Sequence, residues 1–277
     1  MLFAPARGKL CFASPMDPRA VLSAFDEQVR RQTALDMPDE LVELDERVLV
    51  RVAPHGGWTG VTWSSLREQD ADDVIAEQVL CLSALGREWE WKHYSYDTPA
   101  DLPRRLLAHG FIAEQPEALL FAEADTLDVE ASPAPTGIDL VRVRDARGAH
   151  EVVRLGDEIF GEASTGLEAA LLAALSRTPP TACAYLAIGD GAPVAALRAE
   201  FLPGCDFGSL WGAATQPAWR KRGAFRALVA CAASDARERG VRYLQTDAMP
   251  TSQPVLERLG FMRLASTTPY KHPAGGA

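Results

Sequence analysis

The sequence predicts a mixed α/β (α+β) fold that occurs twice along a chain of 277 residues. The second half alternates strand and helix patterns in a definite order, and the first half repeats the end of that order. A stretch with two prolines and a glycine, which can hold neither a helix nor a central strand, separates the two. Because the length is comfortable for two domains, we predict domains at 1–130 and 138–277 and a linker at 131–137.

The second half reads as strand, helix, helix, strand, strand, strand, helix, strand, helix, strand. We predict strands at 138–144, 182–188, 193–201, 209–215, 241–246 and from 261, and helices at 146–160, 166–176, 223–239 and 252–259. The turn Gly189-Asp190-Gly191 supplies the positive φ that a hairpin needs. No helix pattern follows this Gly-x-Gly pair, so a hairpin is favoured over a dinucleotide-binding fingerprint.

The first half repeats the tail of this order. We predict strands at 58–63, 89–96 and from 111, and helices at 72–85 and 99–108. A leucine-rich helix ends in Gly110-Phe111 here and in Gly260-Phe261 in the second half. The matching order of elements indicates an internal duplication.

Composition and charge exclude several classes of protein. The net charge of -10 disfavours a nucleic-acid binder, which needs a basic face. No apolar run is long enough to span a membrane, and the N-terminus does not resemble a signal peptide, so we expect a cytoplasmic protein without membrane association. Five scattered cysteines and five scattered histidines lack metal-ligand spacing, so we expect no metal and reduced thiols.

The acidic residues are unevenly distributed. Residues 1–130 contain 12 Lys and Arg against 24 Asp and Glu, whereas the remainder contains 16 against 14. An anionic ligand would therefore prefer the second half.

A basic loop opens the helix predicted at 223–239. It reads Arg220-Lys221-Arg222-Gly223-Ala224-Phe225. The first amides of a helix have no internal acceptor, and with the helix dipole they form an anion site. Gly223 lets a bulky phosphate approach the backbone. Arginines at a helix N-terminus interact unfavourably with the helix dipole, which lowers stability. An anionic ligand would offset this loss. The loop therefore predicts a pyrophosphate site rather than a solvated turn.

At this loop the sequence resembles the GCN5-related N-acetyltransferase (GNAT) superfamily, whose pyrophosphate loop reads Gln/Arg-x-x-Gly-x-Gly/Ala. Arg220 and Gly223 match, and Phe225 stands where a small residue is usual. The resemblance continues to the Gly-Phe ending at Phe261 and covers residues 138–272. It implies two tandem domains, each a mostly antiparallel sheet flanked by helices, and acetyl-CoA as co-substrate.

The resemblance also implies which residues hold the cofactor. The strand ending at Thr215 would diverge from its neighbour and leave backbone groups free for the pantetheine arm. The arm would be lined by Ala213, Ala214 and Thr215, and the pyrophosphate would be held by Arg220, Lys221, Arg222, Gly223, Ala224 and Phe225. Ser252 is nearest to the position of an asparagine that touches the arm in many relatives.

The usual tyrosine general acid is replaced by Leu256. Candidate replacements are Ser252 and Tyr270, with Cys231 disfavoured because it lies on an apolar helix. Each residue could instead have an ordinary structural role, Ser252 as a helix N-cap and Tyr270 in packing. Glu200, on the strand before the cofactor strand, is the candidate base, with a plain surface residue as its alternative.

In the first half the equivalent loop, residues 66–73, has four carboxylates, one arginine and no glycine. Carboxylates would repel pyrophosphate, so we predict a degenerate copy that binds no CoA. Its acidity suits a cationic acceptor, and we predict N-acetyl transfer to the primary amine of a small molecule. The alternatives are a non-catalytic acyl-CoA sensor and a scaffold without CoA. Since a tandem chain can mimic a dimer internally, a monomer is favoured over a dimer.

Overall fold

The computed structural model describes residues 16–35, 39–54, 57–127, 135–161 and 163–274. Most of the predicted linker, residues 131–134, lies outside these ranges. None of the helices within them has the length and apolar character needed to cross a bilayer.

Among the described residues, the first half contributes three α-helices and six strands. The helices are α1 (Pro18–Phe25), α2 (Ala71–Ser83) and α3 (Leu102–Ala108), and the strands are β1 (Leu41–Leu44), β2 (Val48–Val52), β3 (Thr59–Ser64), β4 (Trp89–Tyr94), β5 (Ile112–Ala113) and β6 (Glu117–Glu123). A π-helical segment, Asp26–Arg30, extends α1. The predicted elements from β3 to β5 are confirmed within a few residues, whereas α1, β1, β2 and β6 were not predicted.

The second half contributes four helices and six strands. They are β7 (Ile138–Arg142), α4 (Ala146–Phe160), α5 (Leu167–Ser176), β8 (Ala182–Gly189), β9 (Ala192–Phe201), β10 (Phe207–Thr215), α6 (Ala224–Glu238), β11 (Tyr243–Ala248), α7 (Gln253–Arg258) and β12 (Met262–His272). The predicted order is confirmed throughout. The hairpin is confirmed as well, since Asp190 and Gly191 both have positive φ.

The twelve strands of the described residues form one continuous sheet. Its order is β1-β2-β3-β4-β12-β6-β11-β10-β9-β8-β7, with β5 beside β12. All neighbouring pairs are antiparallel except β3–β4 and β10–β11. Each parallel pair is joined by a helix, α2 in the first half and α6 in the second. The mixed, mostly antiparallel fold is therefore confirmed, and the strand–helix–strand unit recurs in both halves.

The two halves exchange their last strands. The sheet of the second half continues from β11 to β6, a first-half strand, over the register Tyr243↔Glu123 to Ala248↔Ala118. In turn β12 crosses over and pairs with β4 of the first half. The sheet thus runs unbroken across the division that we predict at 131–137, and neither half completes its sheet alone.

Helices cover both faces of the sheet. On one face α6 and α7 bury the core of the second half, with Leu228 and Leu256 at its centre, and α2 and α3 cover Trp89 and Trp91 of the first half. On the other face α4 and α5 cover the β8–β9 end, and α1 inserts Phe25 among Tyr94, Phe121 and Phe207. Between α1 and α4, none of the described helices covers this second face at the exchanged strands.

Candidate functional site

The candidate site begins where β10 and β11 diverge. Their parallel pairing spans only Phe207↔Tyr243 to Ser209↔Gln245, although β10 continues to Thr215. Past that point the Thr246 hydroxyl donates to the Leu210 carbonyl oxygen at 3.0 Å. The divergence expected for the strand ending at Thr215 is thus present.

The free part of β10 carries a bulge. Its pairing with β9 shifts register between Trp211 and Ala214, and Gly212 takes a positive φ of 60°. Gly212 and Ala213 are exposed, Thr215 is half-buried, and Ala214 is buried against α4. Bulges re-aim backbone groups, so Gly212 and Ala213, rather than the Ala214 side chain, present polar backbone to an extended ligand.

The basic loop turns sharply into α6. Lys221 has φ 62° and Gly223, the N-cap, has φ 90°. Gly223 provides no capping side chain, so the first amides of α6 are left for an external acceptor. A Cβ at Gly223 would lie 3.3 Å from Cγ of Pro135, so the backbone here is both strained for other residues and closely packed.

The cationic side chains of the loop point to solvent. Arg220, Lys221, Arg222 and Arg226 are all exposed. Arg220 Nε donates to the Thr215 carbonyl oxygen at 3.2 Å, and the Arg222 guanidinium lies 4.7 Å from the Trp219 ring centre. Four cations around the start of a 15-residue helix make a site suited to pyrophosphate.

Two neighbouring residues shape this loop. Trp219 packs where any side chain at Gly189 would sit, since a Cβ there would lie 2.3 Å from the indole. Gly189 therefore makes room for Trp219 beside the basic loop as well as for the hairpin. Phe225 is half-buried and packs against the core under α6. A bulky residue fits at this position because its ring turns inward.

The predicted catalytic residues are not gathered at one point. Glu200 is exposed on β9 and lies 3.8 Å from Arg198, on the face that α4 covers elsewhere. Ser252 begins α7, and its hydroxyl donates to the Met249 carbonyl oxygen at 3.1 Å without capping the helix. Tyr270 is buried in the first-half core opposite Trp91, because β12 crosses into that half. Two strands, β6 and β11, lie between the strand of Tyr270 and β10.

The open face at the exchanged strands holds a polar set that the sequence patterns did not single out. Lys92 Nζ on β4 donates to Asp247 Oδ2 on β11 at 2.5 Å, across β12 and β6. The same ammonium lies 5.2 Å from the centre of the Trp211 ring on β10. We call this region, with Glu90 and Glu117, the inter-half cleft. It lies beside the diverging strands and draws residues from both halves.

Burial and charge perturb the groups in the inter-half cleft. Burial raises the pKa of Glu117, and the nearby Asp247 carboxylate raises it further. Burial alone would lower the pKa of Lys92, but the attraction of Asp247 outweighs it and the pKa is raised. Lys92 is therefore a fixed cation, and Glu117 is a carboxylate that binds protons more readily than usual.

The first half has a corresponding divergence, and an arginine fills it. Beyond the paired residues of β3 and β4, the Arg30 guanidinium donates to the Thr62 carbonyl oxygen at 3.2 Å and to Asp97 at 3.0 Å. Its charged carbon lies 3.8 Å from the Tyr94 ring centre. Arg30 is 3% exposed, so its buried side chain fills the opening between β3 and β4.

Asp70 and Asp72 in the acidic loop of the first half form ion pairs and hydrogen bonds with first-half residues. Asp70 accepts from the Arg67 amide and guanidinium, and Asp72 contacts Arg105 and His109. The start of α2 therefore offers no free cation for a phosphate. Within the described ranges no three His, Cys, Asp or Glu side chains are arranged to hold a metal ion.

Comparison with known proteins agrees with this geometry. The sequence model of the Acetyltransferase (GNAT) family matches residues 150–261, which include β10, the basic loop, α6 and β11. This match covers most of the second half of the chain. The GNAT match spans the diverging strands and ends at the Gly-Phe element. A search of curated proteins gives no match.

Several solved structures share the fold over nearly the whole chain. A GCN5-related N-acetyltransferase from Kribbella flavida is 16% identical with a TM-score of 0.69, covering 95% of this chain and 98% of that one. One from Sphaerobacter thermophilus is 14% identical with a TM-score of 0.60, covering 94% and 93%. A tandem GNAT protein from the clavulanic acid biosynthesis pathway is 15% identical with a TM-score of 0.59, covering 94% and 95%. At these identities the likeness establishes the fold.

Proposed function

We propose that the chain is an acetyl-CoA-dependent N-acetyltransferase that acts on the primary amine of a small cationic acceptor. The observation that carries the proposal is the combination at one point of diverging strands, a bulge with exposed backbone, and a basic loop that opens α6 at Gly223. Amides of 221–225 would hold the pyrophosphate, and backbone at 212–215 would hold the pantetheine arm. Acetyl-CoA supplies an activated acyl group.

The chemistry required of the protein is modest. Holding an amine beside a thioester converts a bimolecular reaction into an effectively intramolecular one. Glu117 and Glu200, both on the open face, are candidate bases, and burial raises the pKa of Glu117. The three carboxylates of the inter-half cleft outnumber its single cation, which supports a cationic acceptor.

A second candidate function is a non-catalytic acyl-CoA sensor. Leu256 is 2% exposed and packs in the core, so no side chain there can protonate the leaving thiolate. Ser252 is the one predicted acid near α7, and its hydroxyl hydrogen bonds to Met249. A sensor would bind acetyl-CoA and release no thiol.

Two measurements test these functions together. One bound acetyl-CoA per chain at about 100 times its Kd stabilises the fold by about 2.7 kcal/mol, which raises Tm by roughly 5–10 °C in a protein of this size. Thiol release against a panel of primary amines then separates the enzyme from the sensor. Absence of a Tm shift at millimolar acetyl-CoA would reject both, and a stoichiometry of two would reject a degenerate first half.

A further inference from the structure

The two carboxylate oxygens of Asp247 differ in their hydrogen bonding. Its side chain is 4% exposed, and Oδ2 accepts from Lys92. Oδ1 is buried without a hydrogen-bond partner among the described residues. A buried carboxylate oxygen without a donor is costly, so native structures nearly always provide one. The missing donor points to a ligand on this side of Asp247.

Gln245 shows the same pattern two residues earlier on β11. It is 1% exposed, and its Nε2 donates to Ser209 Oγ at 2.7 Å. Its Oε1 lacks a partner within the described part of the chain. Residues two apart on a strand share a face and lie about 6.6 Å from each other. Two unsatisfied acceptors therefore lie next to each other, on the strand that diverges from β10.

A third acceptor comes from the first half. Glu117 on β6 is half-buried and close enough to Asp247 and Lys92 for their charges to shift its pKa in opposite directions. An ammonium group has three N–H donors and no acceptor. The cleft offers three acceptors for these three donors, namely Asp247 Oδ1, Gln245 Oε1 and the Glu117 carboxylate. The excess negative charge of the cleft complements the positive charge of the ammonium group.

Lys92 explains why Asp247 presents only one oxygen. Its ammonium occupies Oδ2 and contacts the Trp211 ring, so the carboxylate is held in a single orientation. Lys92 lies 155 residues before Asp247 in the chain and reaches it because the sheet is continuous across the exchanged strands. The first half therefore contributes to the site of the second.

We propose that Asp247, Gln245 and Glu117 bind the ammonium group of the acceptor, and that Lys92 is a positioning residue that orients Asp247. This assignment rests on the proposed N-acetyl transfer and names its amine-binding residues. A first half that binds no CoA is then retained because it supplies Lys92 and Glu117.

The test compares Asp247→Asn with wild type. Thiol release is measured with 1,4-diaminobutane, spermidine and 2-phenylethylamine, and binding of the same amines to CoA-loaded protein is measured by calorimetry. Asparagine keeps the size but removes the charge. Because a hydrogen bond to a charged group contributes about 1.5–3 kcal/mol, KM and Kd for the amine should rise about tenfold to hundredfold, while kcat changes less and the acetyl-CoA Tm shift is unchanged.

Lys92 needs its own variants. Lys92→Met leaves Asp247 without its cation, and should raise KM for amines. Lys92→Arg should restore most of the wild-type value, which a purely structural role for the lysine stem would not predict. The control is Arg104→Met, because Arg104 is exposed on α3, away from the cleft, and pairs with Asp101. This variant should behave as wild type.

Two outcomes overturn the inference. One is an unchanged KM and Kd in Asp247→Asn, and the other is wild-type CoA-loaded protein that binds none of the panel amines. Failure of the proposed function looks different, because wild-type protein would then release no thiol with any panel amine, whether or not acetyl-CoA shifts its Tm and whichever amines it binds.

Discussion

Thr267 in the last strand of the chain pairs directly with Glu117 of the first half. On its other side the same residue pairs with Tyr94. An uninterrupted hairpin would need only a short turn between Thr267 and Glu117, because β12 and β6 are antiparallel and their pairing ends at these two residues. The exchange therefore replaces a local hairpin with a long-range pairing between halves.

The first prediction follows from this pairing. A chain of residues 135–274 lacks β6 and leaves the edges of β11 and β12 unpaired, so it should self-associate or unfold. A chain that ends at Thr267 and continues through Asn-Gly into residues 117–123 should restore a folded monomer. Light scattering and thermal melts distinguish the two. A monomeric 135–274 with the Tm of the full chain would contradict the exchange.

The second prediction concerns the arginine in the first-half opening. Arg30→Met leaves Asp97 buried without its cation, which should cost about 3–5 kcal/mol of unfolding free energy. Arg30→Met with Asp97→Leu should recover much of this. Arg47→Met removes an exposed pair with Asp45 and should cost less than about 1 kcal/mol. Urea unfolding measures all three, and equal costs for Arg30 and Arg47 would refute a structural role for the bridge.

The third prediction tests the cofactor loop. Gly223→Asp places a carboxylate at the phosphate position and should abolish the acetyl-CoA Tm shift. Gly240→Asp is the matched control, because Gly240 also has positive φ and lies just beyond the other end of α6. Both variants carry similar backbone strain, so only the first should lose the shift. A shift that survives Gly223→Asp would place the phosphate site elsewhere.

The fourth prediction uses two glycines of α4. A Cβ at Gly156 would have its nearest neighbour at 4.0 Å, so Gly156→Ala should stabilise the fold by about 0.5–1 kcal/mol. A Cβ at Gly148 would lie 2.8 Å from Cγ1 of Val143, so Gly148→Ala should destabilise it. Opposite signs in urea unfolding are expected, and a gain at Gly148 would show that Val143 moves aside.

The fifth prediction concerns pH. Burial, together with the nearby Arg30 charge, lowers the pKa of His93 to about 4. The unfolded chain binds a proton near pH 6.5 and the folded chain does not, so His93 reduces stability progressively as pH falls from about 6.5 to 4, by up to roughly 3 kcal/mol. His93→Gln should show a shallower loss of unfolding free energy between pH 7 and pH 5. Equal slopes would show that His93 titrates normally.

The local features of the chain were predictable from the sequence. The helix α6, its Gly223 start and the turn at Asp190-Gly191 depend on capping, positive φ and hydrophobic periodicity, all set by residues near in sequence. The basic loop could be assigned for the same reason, since every group in it comes from one short segment. The first-half strand β6 was missed although its apolar run is continuous, because such a run alone does not distinguish a buried strand from a helix.

Only the tertiary structure decided which strands became neighbours. A strand pattern fixes which side chains share a face but leaves the pairing partner open. From the sequence Tyr270 was a candidate general acid, and the pairing of β12 with β4 places it in the first-half core. For the same reason no sequence motif predicts the contact between Lys92 and Asp247, which are 155 residues apart in the chain. The sequence by itself determined the basic loop and the helix that it opens, whereas the inter-half cleft depends on long-range strand pairing.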